Sequence, residues 1–561
     1  MAALPSDSAL RGSFRRELGW FSLLSMSLGT VIGSGWLLLP AAVAAKAGPA
    51  SVVSWIFGGL VVLVIALVYA ELGAAWPAAG AVALYPRLSH GAFTGHLAGW
   101  AAFISYAIIP PAEAVAVTRY AGSFIPSLVT AHQDLTALGL AAATGILAAI
   151  GLLNYAGVRY LGIFQNWVTS LKYIPIILFV VGAGLFAFHR RNFAEFGGFA
   201  PSGAPGIMLG TAGTVFAYLG FRQALDFGAE ARCPGRDLPL AVILTVLIAI
   251  ATYALIATVF VGAIDWAGLA RQGIEAGDWA SLVRLPAPIY DIAVAAGLGI
   301  IAWLVFVDGV VSPNGPNATN CGSVPRVAYT MAENGTMPRL FLRLDPRFGT
   351  PGWGLVACFF LETFFLFLTT GGYSTLVSAI NVAFLVGYAI GPVSLGVLRR
   401  TASEQARPFR LPFAHLWSPV AFVLASLLLY WSQWPATGAT LGVLLVGALV
   451  YFAYLRSGRT AAASMRFGAW LVTYLLAMAL LSFLGDRHFG GIGFLAGGWD
   501  IVSVILVSLA LYAWGIRQGV AFAAWEPRDR SQDNNAAGAT NGGGTTIPHH
   551  ESAPSQRGII S

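Results

Sequence analysis

The sequence predicts an all-α polytopic membrane protein of about 14 transmembrane helices, the first and sixth of them broken near their middles. Three observations predict it. The 561 residues are 57% hydrophobic and only 10% charged, where a soluble domain carries about a quarter charged residues. Apolar runs of about 20 residues, enough to cross a bilayer, recur along the whole chain. Two of those runs are interrupted by clusters of glycine. A soluble enzyme of this length would need several cores and a far more charged surface, so that class is excluded.

In chain order, residues 1–17 are polar, carry Arg15 and Arg16, and form a cytoplasmic N-terminal segment. The apolar run from Leu18 to Ala45 far exceeds the hydrophobic stretch of about 7–15 residues in a secretory leader, so it is the first span. Spans follow near 50–73, 92–125, 136–156, 160–188, 206–231 and 238–264. The second half gives 289–331 (interrupted), 353–371, 374–398, 418–433, 437–455, 467–484 and 499–516. Residues 18–398 make a core of ten spans in two halves, 18–188 and 206–398, and 399–516 add four more. Residues 517–561, rich in Gly, Asn, Ser and Pro, read as a disordered cytoplasmic tail.

Charge tests this register. With both ends inside, 22 of the 31 Lys and Arg fall in cytoplasmic loops and tails, among them Arg232, Arg236, Arg339, Arg343, Arg399 and Arg400, with Arg326 at the inner end of span eight counted with them. Six fall outside and three (Arg119, Lys172, Arg222) within spans, the bias expected of a correctly threaded membrane protein. The net charge of +7 comes from singly scattered arginines rather than the clustered patch that nucleic acid requires. Cys233, Cys321 and Cys358 are far apart with no CxxC spacing, so neither a disulfide framework nor a metal site is expected.

The first break lies in Gly29-Thr-Val-Ile-Gly33-Ser34-Gly35 and the sixth in Gly210-Thr-Ala-Gly213-Thr-Val-Phe-Ala-Tyr-Leu-Gly220. Glycine weakens a helix by about 1 kcal/mol relative to Ala. Unwound backbone inside a bilayer is tolerated only where it lines a cavity or binds something, and two breaks at matching points of two halves mark a midplane transport site. The competing reading of span one is close helix packing through Gly29 and Gly33. If the break is functional, the turn at Ile32, Gly33, Ser34 and Gly35 offers N–H groups at a half-helix start, where a carboxylate is favoured. Carbonyls at Phe216, Ala217 and Tyr218 suit an ammonium. Together they would recognise an α-amino acid zwitterion.

The Gly29–Gly35 motif resembles the signature of the amino acid–polyamine–organocation superfamily. So do Ala217-Tyr-Leu-Gly-Phe221 followed by Ala229-Glu-Ala-Arg-Cys-Pro-Gly-Arg-Asp-Leu-Pro239, and Pro325-Arg-Val-Ala-Tyr-Thr-Met-Ala-Glu-Asn-Gly-Thr-Met-Pro338. These matches run in the right order from Gly29 to about Pro351. The resemblance implies a LeuT-like fold, five helices and five inverted, with four more outside the repeat, and gives the two breaks the same binding roles. Within the superfamily, Gly220-Phe-Arg-Gln-Ala-Leu-Asp-Phe-Gly228 is most similar to the aspartate–proton symporter branch.

Ionisable groups at bilayer depth cost at least about 3 kcal/mol and are functional candidates by default. Lys172 lies in span five; burial penalises the charged form of an amine, which lets it exchange protons. The resemblance places it where sodium-coupled relatives bind an ion. Its alternative role is to satisfy carbonyls of the broken first helix. Arg222 directly follows the sixth break, where a guanidinium can grip a side-chain carboxylate bidentately. Alternatively it is neutralised along its own helix by Asp226 at i+4, with Glu230 at i+8. Asp308 in span eight, Glu113 in span three and Asp226 complete the proton-coupling candidates. Arg119 and Glu71 lie near span ends and read as structural; Glu362 stands alone in span nine. Tyr218, Phe221 and Trp303 are aromatic candidates to line or gate the pocket.

Neither lysine stands in a GxxxxGK[ST] motif, so no P-loop supplies ATP energy. No HExxH or ligand-spaced histidine group is present, and no nucleophile–base pair marks an intramembrane enzyme. The expectation is therefore a non-enzymatic permease without cofactors, driven by a proton gradient. It would carry an acidic amino acid such as aspartate or glutamate across a plasma or inner membrane, with both termini cytoplasmic. Its partners would be the amino acid and the lipid bilayer, with no nucleic acid. The alternatives are an antiporter or facilitator for neutral or cationic amino acids or amines, and a receptor using the same pocket without flux.

Overall fold

The computed structural model describes residues 14–122, 124–130, 134–271, 273–368, 373–454 and 459–540. For residue 216 and residues 373–383, 439–440, 459–463 and 526–540 it describes the backbone alone. Among the described residues the chain is helical, with isolated bridges such as Leu18 to Ala231 in place of strands. The first span is two helices, Trp20–Val31 and Gly35–Ala47, parted at Ile32, whose φ of −94° and ψ of 83° leave the helical region. The sixth is Gly203–Tyr218, a turn, and the short helix Gln223–Asp226. Both predicted breaks are present.

Spans two to five are Ser51–Ala75, Ala92–Gly122, Ala137–Tyr155 and Val158–Phe186, and span seven is Pro234–Ala263. Span eight is jointed, Gly299–Val311 then Asn314–Glu333, with Pro313 at the joint. Its expected start at 289 is displaced, because Gly297 at φ +74° cuts off Pro288–Ala295 as a separate short helix. Spans nine to fourteen are Gly352–Leu368, Tyr373–Thr401, Ala414–Trp431, Ala436–Tyr454, Arg459–Leu484 and Trp499–Thr540. Among the described residues nine helical stretches are long and apolar enough to cross a membrane, with Gly35–Ala75 counted as one. Of the others, spans one, six and eight are broken and Gly352–Leu368 is shorter.

Between the second and third spans lies a further helix, Ala81–His90, entered through Gly80 at φ +55°. One expectation changes. The last helix continues through 517–540, where a disordered tail was expected. The physical reason is visible as far as Trp525: Phe522 and Trp525 pack on Phe467, so the apolar face persists beyond residue 516. Residues 1–13 and 541–561 lie outside the described residues.

Apolar side chains face inward in one large cluster, yet Leu152, Phe186, Ile300 and Phe360 point outward and are exposed. An outer surface of that kind is suited to lipid rather than water. Glu71 is the main polar tie between spans two and ten. Its carboxylate accepts from Arg399 through both oxygens and from the Leu411 N–H at 2.8 Å, and Arg407 Nε stands 3.3 Å away as an ion pair without a hydrogen bond. The structural role expected of Glu71 fits these contacts. Removing one member of a buried ion cluster leaves an uncompensated charge and costs about 3–5 kcal/mol. Glu71→Ala is therefore expected to lower the thermal midpoint of the purified protein clearly; an unchanged midpoint would show that the cluster contributes nothing to stability.

Candidate substrate and proton site

The break in span one is held open from three sides. Lys172 Nζ donates to the carbonyls of Gly29 at 3.0 Å, Ser312 at 3.2 Å and Ile32. Ser312 Oγ lies 3.4 Å from the carbonyls of Ile32 and Gly33. The Tyr253 hydroxyl, from span seven, lies 2.7 Å from the Val31 carbonyl and 3.3 Å from the Ala217 carbonyl, so one group touches both broken helices. These contacts answer the demand that unwound backbone find partners in the bilayer.

On the opposite wall, Glu113 of span three reaches the freed N–H groups. Its Oε2 accepts from the Ser34 N–H at 3.3 Å. The N–H face expected to take a carboxylate thus holds one already, supplied by the protein. Asp308 Oδ2 accepts from Trp36 Nε1 at 3.0 Å, just beyond the break. The charges of Asp308 and Glu113 both act on Lys172. Three of the four proton-coupling candidates therefore gather around Ile32, Gly33, Ser34 and Gly35. The fourth, Asp226, sits elsewhere.

The space between these walls is a cavity of about 20 Å³ lined by Thr30, Val31, Gly33, Gly35, Ile109, Glu113, Leu219 and Pro316. That is room for about one water molecule, whereas small-molecule sites span about 300–1,000 Å³; the site is closed in this conformation. Its tightness has a cause. A Cβ on Gly33 would lie 2.7 Å from Pro316 Cγ and 3.0 Å from Glu113 Oε1. Gly220, at φ +128°, lets span six approach span one so closely that a Cβ would meet the Val31 nitrogen at 2.8 Å.

The carbonyl wall differs from expectation. Leu219, rather than Phe216, Ala217 or Tyr218, borders the cavity. The Ala217 carbonyl faces Tyr253. Tyr218 turns away and donates to the Trp55 carbonyl at 2.9 Å, with its ring against Trp55 and Tyr253. It braces spans six, two and seven instead of lining the site. Of Phe216 only the backbone, inside the helix, is described. Trp303 is 59% exposed on the outer surface and lines nothing.

Arg222 occupies a compartment of its own. It is 1% exposed, and its guanidinium carbon lies 5.3–5.7 Å from the ring centres of Tyr69, Tyr106, Phe384 and Tyr388. Nε donates to the Tyr106 hydroxyl at 3.2 Å, while Nη1 and Nη2 have no hydrogen-bond partner. Gly387 makes the room, since a Cβ there would sit 2.4 Å from Nη1. Among the described residues Asp226 makes no direct ion pair with Arg222, yet each charge acts on the other and Tyr106 stands beside both. Glu230 is taken by Arg326 of span eight through a two-pronged pair at 2.6 and 2.7 Å. Ile109 of the cavity and Tyr106 of this cage are one turn apart on span three, so the two compartments adjoin.

Ser312, Tyr253 and Pro316 were not legible as site residues, because each reaches the breaks from a distant segment, and Trp36, which adjoins the first break, owes its place to Asp308 far along the chain. Glu362, without a partner on sequence grounds, has two. Cys321, Cys358 and Glu362 place their ligand atoms within 4.8 Å of one another, all buried.

The sequence profile of the amino acid permease family matches residues 18–455. The glutamate/serine transporter AimA of Bacillus subtilis (strain 168) is 36% identical over 515 residues, covering 90% of this chain and 94% of that protein. The aspartate-proton symporter of the same organism is 33% identical over 523 residues, covering 92% and 98%. Human cationic amino acid transporter 4 is more distant, 29% identical over 411 residues, covering 70% of this chain and 61% of that protein.

Proposed function

Because the chain belongs to the amino acid permease family, and is thus a multi-pass membrane protein of amino acid transport, we propose that it carries an acidic amino acid together with a proton. Both termini would be cytoplasmic and the membrane that of the cell. The observation that carries the acidic reading is Arg222, a buried guanidinium whose two outer nitrogens have no partner. Such a group grips a planar carboxylate with two parallel hydrogen bonds. The names of two relatives, glutamate/serine transporter and aspartate-proton symporter, point the same way.

Proton coupling follows from Glu113. The substrate's α-carboxylate needs the N–H groups at the break, of which Glu113 now engages that of Ser34. Two carboxylates cannot both stay charged in one small site. A proton arriving on Glu113 removes the conflict and frees the donors, so substrate and proton enter together. Lys172 keeps the break open through its three carbonyls, and Asp308 is the second acid within its field. Alternating access then proceeds by rocking around this site. A small neutral amino acid such as serine is the second reading, favoured by the name of one relative and the narrow cavity.

The test is uptake of labelled aspartate, glutamate, serine, leucine and arginine into proteoliposomes with and without an inward proton gradient. Acidic substrates are expected to accumulate only with the gradient. In Glu113→Gln, gradient-driven accumulation should fall by about tenfold or more while exchange against internal substrate persists. Equal accumulation by the variant would remove Glu113 from coupling, and preferential uptake of leucine or arginine would overturn the substrate assignment.

A further inference from the structure

The pairing of spans eight and nine contains a donor set that transport does not use. Cys321 lies on Asn314–Glu333, and Cys358 and Glu362 lie one turn apart on Gly352–Leu368. All three are buried. Cys358 Sγ is 3.0 Å from Glu362 Oε1, and the three ligand atoms lie within 4.8 Å of one another. Glu362 Oε2 has no hydrogen-bond partner. Buried between two packed helices, a carboxylate beside two thiols is a costly group without a counter-charge.

We propose that Cys321, Cys358 and Glu362 form a binding site for one thiophilic divalent cation of the Zn²⁺ and Cd²⁺ class. Hard cations such as Mg²⁺ and Ca²⁺ take six or more oxygens, and this set offers two sulfurs and one carboxylate. Around Zn²⁺, bonds of about 2.3 Å to sulfur put neighbouring tetrahedral sulfurs about 3.8 Å apart. The observed cluster contracts to that geometry by less than about 1 Å. Binding exchanges two S–H bonds for two metal–sulfur bonds: the cation enters, both thiols give up their protons to solvent and stay as thiolates, and Glu362 coordinates as its carboxylate anion. Two positive charges enter and two leave, so the site ends at the net charge of −1 it had before. The cation would tie span nine to the helix whose first turn carries Gly315 and Pro316 at the central cavity.

The experiment uses the full-length purified chain in a Cys233→Ser background, which removes the exposed thiol. Titration with Cd²⁺ should raise a thiolate-to-metal charge-transfer band saturating at one ion per chain, with Zn²⁺ competing and Mg²⁺ not. Cys321→Ser and Cys358→Ser should each abolish the band, and Glu362→Gln should weaken binding by about tenfold or more. As a readout free of variants at the site, Cd²⁺ should slow alkylation of both Cys321 and Cys358 during heating, read by mass spectrometry. No band, or a band of equal strength in the Cys321→Ser, Cys358→Ser double variant, overturns the site, as does alkylation unchanged by Cd²⁺. None of these readouts depends on transport, so their failure leaves the symporter reading standing, and the converse holds.

Discussion

Alanine in place of Arg222 is expected to reduce aspartate and glutamate uptake about thirtyfold or more, with any serine uptake kept or raised. The magnitude comes from truncating one partner of a buried charge pair, which costs about 2–5 kcal/mol, where about 1.4 kcal/mol is a factor of ten. The direction comes from the cage. Four aromatic rings surround the guanidinium, and Tyr106 accepts a hydrogen bond from Nε while Nη1 and Nη2 have no partner among the described residues. In the reading proposed above, a substrate side-chain carboxylate would be their acceptor. Arg222→Lys keeps the charge but loses the planar fork, so it should retain a minor part of the acidic uptake. Thermal melting of each variant separates loss of recognition from loss of fold. Unchanged acidic uptake in Arg222→Ala would make the residue a structural cation and leave the acidic assignment without its anchor.

The second large effect is expected at Lys172. Its ammonium serves three carbonyls, two of them at the unwound turn itself, and a hydrogen bond to a charged group contributes about 1.5–3 kcal/mol. Lys172→Ala should lower both the melting midpoint and gradient-driven uptake, the latter about tenfold or more. Arginine should not rescue it, because a Cβ on Gly315 would already lie 2.7 Å from Nζ, which leaves no space for a guanidinium. Uptake with an undiminished gradient response in Lys172→Ala would show that the breaks hold their shape and carry protons without this residue.

The fold was legible because its signals are local. A glycine cluster weakens the helix that contains it, and an apolar run of sufficient length marks its own span, so both breaks were visible at Gly29–Gly35 and Gly210–Gly220. Identities within the site were legible where chemistry is rare, as with Lys172, Glu113 and Asp308 at membrane depth. What stayed hidden depends on direction or on distance along the chain. Tyr218 sits where a pocket residue was expected, but its rotation sends it to Trp55. Glu230 is eight residues from Arg222 and yet pairs with Arg326. The i,i+4 spacing of Cys358 and Glu362 was readable as one helix face, whereas the arrival of Cys321 needed the packing of a second helix. The final helix outran its expected end because aromatic contacts to Phe467 do not show in composition.

The Tyr253 hydroxyl carries a single hydrogen, and two carbonyls stand before it. Only one can be served at a time, and the separations of 2.7 and 3.3 Å assign that hydrogen to Val31. Ala217 then faces a phenolic oxygen, electron pair against electron pair. Such an arrangement is relieved by rotation of one O–H bond, so the grip on span one and the grip on span six answer to the same rotor.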